Sequence, residues 1–237
     1  MRPITLILGS TTLVLAACSS TPGGHPHDAS VAQHEAMAAN EDTNAGAHAA
    51  QFDAAAKVPR TRCSHGQGED GVCWSSLANP TAEHLKAAEQ HRKMAADHRA
   101  ASQALRDAEA SACAGLSDLD RDMSPFAHRE DIASVAPLES RSTGKLLAVT
   151  RSEGAIVTFR ATPGLTAQWL QRIVSCHLAR SAAMGHVMPE MPYCPLVPKD
   201  VSASVTATDT GFAVAIRSDD PEVAREILKR AGALVGR

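Results

Sequence analysis

The chain has 237 residues, a formal net charge of −3, 44% hydrophobic residues and only 3% aromatic residues. This length allows one ordinary domain with a helical appendage. The weak negative charge gives no general field to attract nucleic acid, and so few aromatic side chains leave little surface for stacking bases or sugars. We therefore predict that nucleic acid is not a partner.

Residues 1–17 are typical of a secretory signal peptide. Arg2 precedes an apolar run, Ile4 to Ala17, that is too short to span a bilayer. The run ends in Leu15-Ala16-Ala17-Cys18, which resembles the lipobox of bacterial lipoproteins. The resemblance implies cleavage before Cys18 and acylation of its sulfur, for example with palmitate. It thus implies a cell-envelope protein anchored by lipid to a membrane and facing the periplasm. Ser19 favours the outer membrane over the inner one. The alternative is an ordinary signal peptide with a chance cysteine.

Residues 18–60 contain almost no large apolar side chain, and we predict that they form a flexible, lipidated tether. Four histidines lie in this segment: His25, His27, His34 and His48. Short histidine-rich tracts can bind metal ions, although a solvated linker can also have this composition by chance.

Residues 61–79 form a loop in which Cys63 and Cys73 flank glycines and acids. We predict a Cys63–Cys73 disulfide, because a zinc site usually needs two close pairs of cysteine or histidine. With Cys18 acylated and a second disulfide between Cys176 and Cys194, Cys113 would remain as one titratable thiol. Cysteines outside the inner membrane tend to pair in this way.

Residues 80–115 are predicted to form one long helix, with Asn79 as its cap and Gly115 as its stop. Its apolar stripe is thin, which favours contact with a protein partner or a second copy of the chain.

Histidines recur on this helix every seven residues, at His84, His91 and His98. His91, Met94 and His98 share one stripe, and a thioether between two imidazoles suits Cu(I). The alternative is that these histidines are polar residues of a helix interface.

Residues 116–141 are predicted to be a connector, and residues 142–237 a compact α+β domain. The pattern there indicates the order strand-strand-helix-strand-strand-helix, which gives a two-layer antiparallel sheet with two helices on one face. The first two strands are predicted at 145–150 and 155–161, with Glu153-Gly154 as the turn between them. Thr166 and Asp220 are predicted to cap the two helices.

A loop rich in methionine, histidine and cysteine lies inside this domain. Its candidate ligands for a soft metal ion, Cu(I) or Zn(II), are His177, Met184, His186, Met188 and Met191. The alternative is structural: Cys176–Cys194 staples the loop, the methionines fill gaps, and His177 bonds to the backbone.

No sequence motif indicates an enzyme. The chain lacks a Gly-x-Ser-x-Gly elbow, a phosphate-binding glycine loop and a His-Glu-x-x-His pair. The sequence therefore predicts a lipid-anchored envelope protein with a binding role, directed at a soft metal ion. A structural or adaptor lipoprotein that uses the long helix for protein contact is the alternative.

Overall fold

The computed structural model describes residues 29–64, 71–143 and 148–235. It confirms the predicted α+β class, with helices and two antiparallel sheets. The predicted signal peptide, Cys18, His25 and His27 lie outside the described residues. None of the helices in the described part is both long and apolar enough to cross a membrane.

Two long antiparallel helices form a helical hairpin, α1 (Val31–Gln51) and α2 (Ala82–Ala112). The long helix predicted from the sequence is confirmed, but its N-cap is Thr81 rather than the predicted Asn79. The prediction of a flexible tether is wrong over α1. Ser30 caps α1: its hydroxyl accepts from the Gln33 amide at 3.1 Å, and its own amide donates to Gln33 Oε1 at 2.8 Å. An Ala-rich helix of this length is marginal alone, so its packing along α2 accounts for the order.

A β hairpin joins the two helices. It consists of β1 (Val58–Cys63) and β2 (Cys73–Ala78), and the predicted Cys63–Cys73 disulfide is confirmed at its far end. Its base is tied to the start of α2: the Asn79 side chain donates to the Asp53 carbonyl at 2.7 Å, and the Thr81 hydroxyl accepts from the Asp53 amide at 3.0 Å.

The C-terminal domain follows α2. A short helix, α3 (Asp118–Asp122), and two 3₁₀ turns lead into the sheet. The remaining elements, in chain order, are β3 (Ile132–Thr143), β4 (Ala148–Arg160), α4 (Ala167–Ala183), β5 (Ser202–Thr208), β6 (Gly211–Arg217) and α5 (Pro221–Val235). All neighbouring strands are antiparallel, in the spatial order β3-β4-β6-β5.

The predicted connector and the predicted turn at Glu153-Gly154 are both wrong. The first strand lies within the connector, and β4 continues through Gly154 without turning. Pro137 is tolerated in β3 because this strand is an edge of the sheet. Gly154 lies where the β3–β4 pairing shifts, and a Cβ there would lie 2.1 Å from the Ile216 carbonyl oxygen. Glycine is therefore needed for close approach of the backbones rather than for a turn.

Both α4 and α5 contribute to one hydrophobic core with the sheet. The buried sheet residues come from one face of two central strands: Ala155, Val157, Phe159, Phe212, Val214 and Ile216. Leu170 and Val174 on α4 and Ile227 and Ala231 on α5 pack in the same cluster. The predicted caps are confirmed, since the Thr166 hydroxyl and the Asp220 carboxylate accept backbone amides of α4 and α5.

The predicted disulfide Cys176–Cys194 is wrong. Cys176 pairs with Cys113, which lies at the end of α2, so this bond joins the helical hairpin to α4. Among the cysteines that the structure describes, the one outside a disulfide is Cys194, buried in the core. This pairing could not be predicted from the sequence, because only the packing of α2 on α4 brings the two distant cysteines together.

Candidate functional site

The two helices of the hairpin meet along a line of mainly polar and small residues. In each helix these residues are alternately three and four positions apart in the sequence. Such spacing places all of them on one face of a helix. On α1 they are His34, Ala38, Glu41, Ala45 and His48; on α2 they are His84, Ala88, His91, Ala95, His98, Ser102 and Leu105. We use the name histidine seam for the five histidines and one glutamate of this line: His34, Glu41, His48, His84, His91 and His98. The histidines that the sequence marked on α2 therefore lie inside the hairpin.

The antiparallel helices bring the seam residues together as three pairs. The Nδ1 atoms of His34 and His98 lie 3.2 Å apart, and those of His48 and His84 also lie 3.2 Å apart. Between these two pairs, His91 Nδ1 lies 2.5 Å from Glu41 Oε2. The pairs repeat once per heptad along the hairpin.

Neighbouring levels of the seam are also in contact. The ring of His48 stacks on His91 with a centroid distance of 5.4 Å and an interplanar angle of 12°. His48 is also stacked on its own partner, His84, at 5.5 Å. Three imidazoles and the Glu41 carboxylate thus form one continuous run of contacts in the half of the seam nearest the β hairpin.

Alanines between the histidines allow this close approach. Ala38, Ala45, Ala88 and Ala95 are all buried between the helices. A methyl side chain lets two helix backbones come closer than leucine would, and the short gap brings facing imidazoles within reach of each other. On the outer edge, Arg99 pairs with Asp42 and Arg106 with Glu35, in a register compatible with the same antiparallel alignment.

Two facing Nδ1 atoms at this distance have two chemical uses. One ring can donate an N–H to the other, since a neutral imidazole has one donor and one acceptor nitrogen. Alternatively both nitrogens can bind one metal ion. Zinc–nitrogen bonds of about 2.0–2.1 Å place two ligands of a tetrahedral ion about 3.3 Å apart. The observed separation suits this second use without movement of either helix.

Burial of the two pairs is uneven. His34 has no exposed surface, whereas His48, His84 and His98 are half-buried. In the described parts of the chain, no group of three or more His, Cys, Asp or Glu side chains is placed to hold a metal ion. Each imidazole pair therefore provides two ligands, and solvent can reach the half-buried rings to complete a coordination shell.

The predicted stripe of His91, Met94 and His98 is not assembled. Met94 is 40% exposed, whereas the neighbouring Ala95 faces α1 with no exposed surface. The partners of the two histidines come instead from α1, as Glu41 and His34. Glu41, His34 and His48 were not predicted as partners of the α2 histidines, because residues 18–60 were assigned to the tether. Their heptad spacing matches that of His84, His91 and His98 and is the signal that would have found them.

The predicted ligands of the Met/His/Cys loop lie in different environments. Met188 and Met191 are buried in the hydrophobic core, whereas Met184 is exposed. His186 Nδ1 donates to the Val197 carbonyl at 3.1 Å. His177 Nε2 donates to the Met123 carbonyl at 2.7 Å, and burial lowers the pKa of this imidazole. These contacts are the ones expected if the methionines fill gaps in the core and His177 bonds to the backbone, rather than binding a metal ion.

The last cysteine of the loop, Cys194, has a buried thiol. The Ser124 hydroxyl donates to its sulfur at 3.3 Å, inside the core. Burial raises the pKa of this thiol. A thiol held protonated and inaccessible is a poor nucleophile and a poor metal ligand.

Comparisons with protein-family models, with curated proteins and with solved structures gave no match. The function is therefore inferred from the residues of this chain alone. Among them, the histidine seam is the arrangement with the most specific chemistry.

Proposed function

We propose that this chain is a lipid-anchored protein of the bacterial cell envelope that binds a transition-metal ion through the paired imidazoles of the histidine seam. The single observation that supports metal binding best is the repeated Nδ1–Nδ1 separation of 3.2 Å, at His34–His98 and at His48–His84. The proposal of a lipid anchor depends on the Leu15-Ala16-Ala17-Cys18 sequence.

The ligand set favours Zn(II) as the metal. Imidazole nitrogens suit Zn, Cu, Fe and Ni, whereas thioether sulfur selects Cu(I). The methionines that suggested Cu(I) lie outside the seam: Met94 is on the exposed side of α2, and Met188 is in the core. The nitrogen separation matches tetrahedral coordination, whereas two nitrogens opposite each other on one ion would stand about 4 Å apart.

The two imidazole pairs would act as separate sites. They lie two heptads apart on α1, which corresponds to about 21 Å along the helix. One ion cannot bridge that distance, so we expect up to two Zn(II) ions per chain. The His91–Glu41 pair lies between them, and its carboxylate would hold the His91 ring in place beside His48.

Zinc titration of a soluble form, residues 19–237, tests this proposal. Metal-free protein would be titrated with Zn(II) against a chromophoric chelator, and bound metal would be counted on the same sample. The variant His48→Ala/His84→Ala should lose one site, and His34→Ala/His98→Ala the other. His128→Ala is the matched control, because this histidine is more exposed and belongs to the domain rather than to the seam.

X-ray absorption spectroscopy of the loaded protein gives the ligand type directly. We expect nitrogen ligands at about 2.0–2.1 Å and no sulfur. Sulfur ligands would instead support the Met/His/Cys loop. Wild-type protein that binds no zinc, or seam variants that bind as much as wild type, would show that the imidazole pairs only hydrogen-bond across the hairpin.

A separate experiment tests the anchor. Wild-type protein should incorporate labelled palmitate and fractionate with membranes, and Cys18→Ser should do neither. If the label and the membrane fraction are unchanged in Cys18→Ser, the lipobox interpretation is wrong. This result would not affect the proposal of metal binding, because the seam residues belong to α1 and α2 and not to the lipobox.

The alternative proposal, an adaptor that uses the long helix, has less support. Its motivation was the thin stripe of α2, and α1 of the same chain covers that stripe. A self-association surface on α2 would need the hairpin to open. Soluble protein that forms a dimer when α1 is removed, but not when it is present, would show such a masked surface.

A further inference from the structure

The two strands of the β hairpin are highly exposed. β1 and β2 pair with each other, and every residue of both strands is exposed except the half-buried Ala78. Several large apolar side chains of this segment are exposed: Val58, Val72, Trp74 and Leu77. Such a concentration outside a core marks a contact surface rather than chance exposure.

The two faces of this hairpin differ in chemistry. Cross-strand partners share a face, so the pairs Arg60–Ser76 and Arg62–Trp74 lie together on one side. We call this set, Arg60, Arg62 and Trp74, the basic-aromatic face. The opposite side has the Pro59–Leu77 pair, the Thr61–Ser75 hydroxyl hydrogen bond, at 3.0 Å, and the disulfide, so Leu77 does not belong to the basic-aromatic face. The cationic side chains are therefore displayed next to an indole ring, 51% exposed.

All charged side chains of the two strands are positive. Neither β1 nor β2 contains a carboxylate, and Lys57 lies directly before β1. Within the described ranges, neither arginine has an ion-pair partner. Glu69 and Asp70 belong to the intervening loop, which lies outside the described residues. The arginine side chains are thus available to an external anion.

We propose that the basic-aromatic face docks on an anionic phospholipid surface. Arginines near a bilayer are attracted by anionic headgroups, and tryptophan is enriched at the level of the headgroups. The disulfide holds the two strands in register before contact, which reduces the entropy lost on docking. This proposal is independent of metal binding. The two tryptophans of the chain are Trp74 and Trp169, and Trp169 is already stacked with Arg172.

The position of the β hairpin gives the contact a geometric consequence. It lies at the end of the helical hairpin opposite Ser30, and α1 between them is about 30 Å long. Contact through the basic-aromatic face would therefore bring the membrane to the end of α1 opposite Ser30.

Vesicle co-sedimentation of residues 19–237 tests the proposal without a lipid anchor. We expect binding to vesicles of phosphatidylglycerol and phosphatidylethanolamine at low salt, weakening at high salt, and little binding to phosphatidylcholine vesicles. Arg60→Gln/Arg62→Gln should weaken binding roughly 30-fold, from the attraction typical of each basic residue near a charged membrane. Trp74→Ser should weaken it without changing the salt dependence.

The matched control is Arg225→Gln/Lys229→Gln on α5. It removes the same charge from exposed positions outside the β hairpin, so it should bind almost as wild type does. If both double variants lost vesicle binding equally, the binding would depend only on net charge. This result would overturn the proposal.

Three further outcomes would also overturn it. The first is no binding to anionic vesicles at low salt. The second is release of the protein by millimolar inorganic phosphate, which would indicate a site for the free ion. The third is a dimer in sedimentation that Trp74→Ser disrupts while vesicle binding is absent, which would assign the face to a second copy of the chain.

Discussion

Histidine occupies two contrasting environments in this molecule. In the C-terminal domain, His177 is surrounded by a core of branched and aromatic side chains and donates to one fixed backbone carbonyl. In the helical hairpin, imidazoles face other imidazoles across a seam in which the other buried side chains are mainly alanine. A backbone acceptor fixes one tautomer of a neutral ring, because the bonded nitrogen must carry the proton. Two facing imidazoles have no such fixed acceptor, so the facing nitrogen of each ring can become a metal ligand. The comparison explains why the seam, rather than the histidine in the best-packed region, is the candidate site.

The disulfide between the two regions gives the largest expected effect. Cys113→Ser/Cys176→Ser should lower the free energy of unfolding by about 4 kcal/mol, from the chain entropy of a loop of this length. Urea unfolding measures this change. Zinc binding should persist, because the seam residues belong to α1 and α2 alone. The control Cys63→Ser/Cys73→Ser opens the β hairpin and should leave the unfolding of the domain near wild type. Loss of zinc binding in Cys113→Ser/Cys176→Ser would show that the seam depends on the disulfide bond to the C-terminal domain.

Overpacking the seam should give the next largest effect. Ala45→Leu adds bulk where the helices touch, and such insertions typically cost about 1–3 kcal/mol. It should also separate His48 from His84 and weaken zinc binding at least about tenfold, which corresponds to about 1.4 kcal/mol. Chelator competition and urea unfolding measure the two effects on one sample.

The matched control for this variant is Ala47→Leu, on the exposed side of α1. It should change neither stability nor affinity appreciably. Two zinc sites of wild-type affinity in Ala45→Leu would mean that His48 and His84 are not paired ligands.

The domain histidine should give a smaller effect that depends on pH. Burial depresses the folded-state pKa of His177 below the value of about 6.5 for an unfolded chain. Its contribution to stability is thus complete above about pH 6.5 and is lost as the pH falls toward and through the folded-state pKa. The slope for this one group cannot exceed about 1.4 kcal/mol per pH unit.

Unfolding of His177→Gln between pH 7.5 and pH 5 checks this effect. The variant should have a shallower pH dependence than wild type, and the exposed His128→Gln should follow wild type. Parallel curves for wild type and His177→Gln would show that His177 does not contribute to the acid sensitivity of the protein.

Local patterns predicted much of the fold. The caps at Thr166 and Asp220, the helix of residues 82–112 and the disulfide within the β hairpin follow from sequence neighbours. The first strand could not be placed from such signals, because Pro137 and Gly154 have the same local signature in a turn as in an edge strand with a bulge. Their role depends on the neighbouring strand.

The candidate site was predicted only in part. His91 and His98 were identified on α2, but their partners Glu41 and His34 were assigned to a tether. The composition of α1 argues against a stable helix, because alanine, asparagine and histidine bury little apolar surface. The helix gains its stability from α2, a contact that no local window contains.

By itself, the sequence determined the periodicity of each element, the chemistry available on each face and the lipobox that predicts an anchor. Tertiary structure decided which faces meet. It placed Cys113 beside Cys176, left Cys194 in the core and brought imidazoles from α1 and α2 within 3.2 Å of each other. The physical reason is that periodicity is a property of one segment. Pairing depends on the free energy of burying two distant segments against each other, and it is set only when the whole chain has packed.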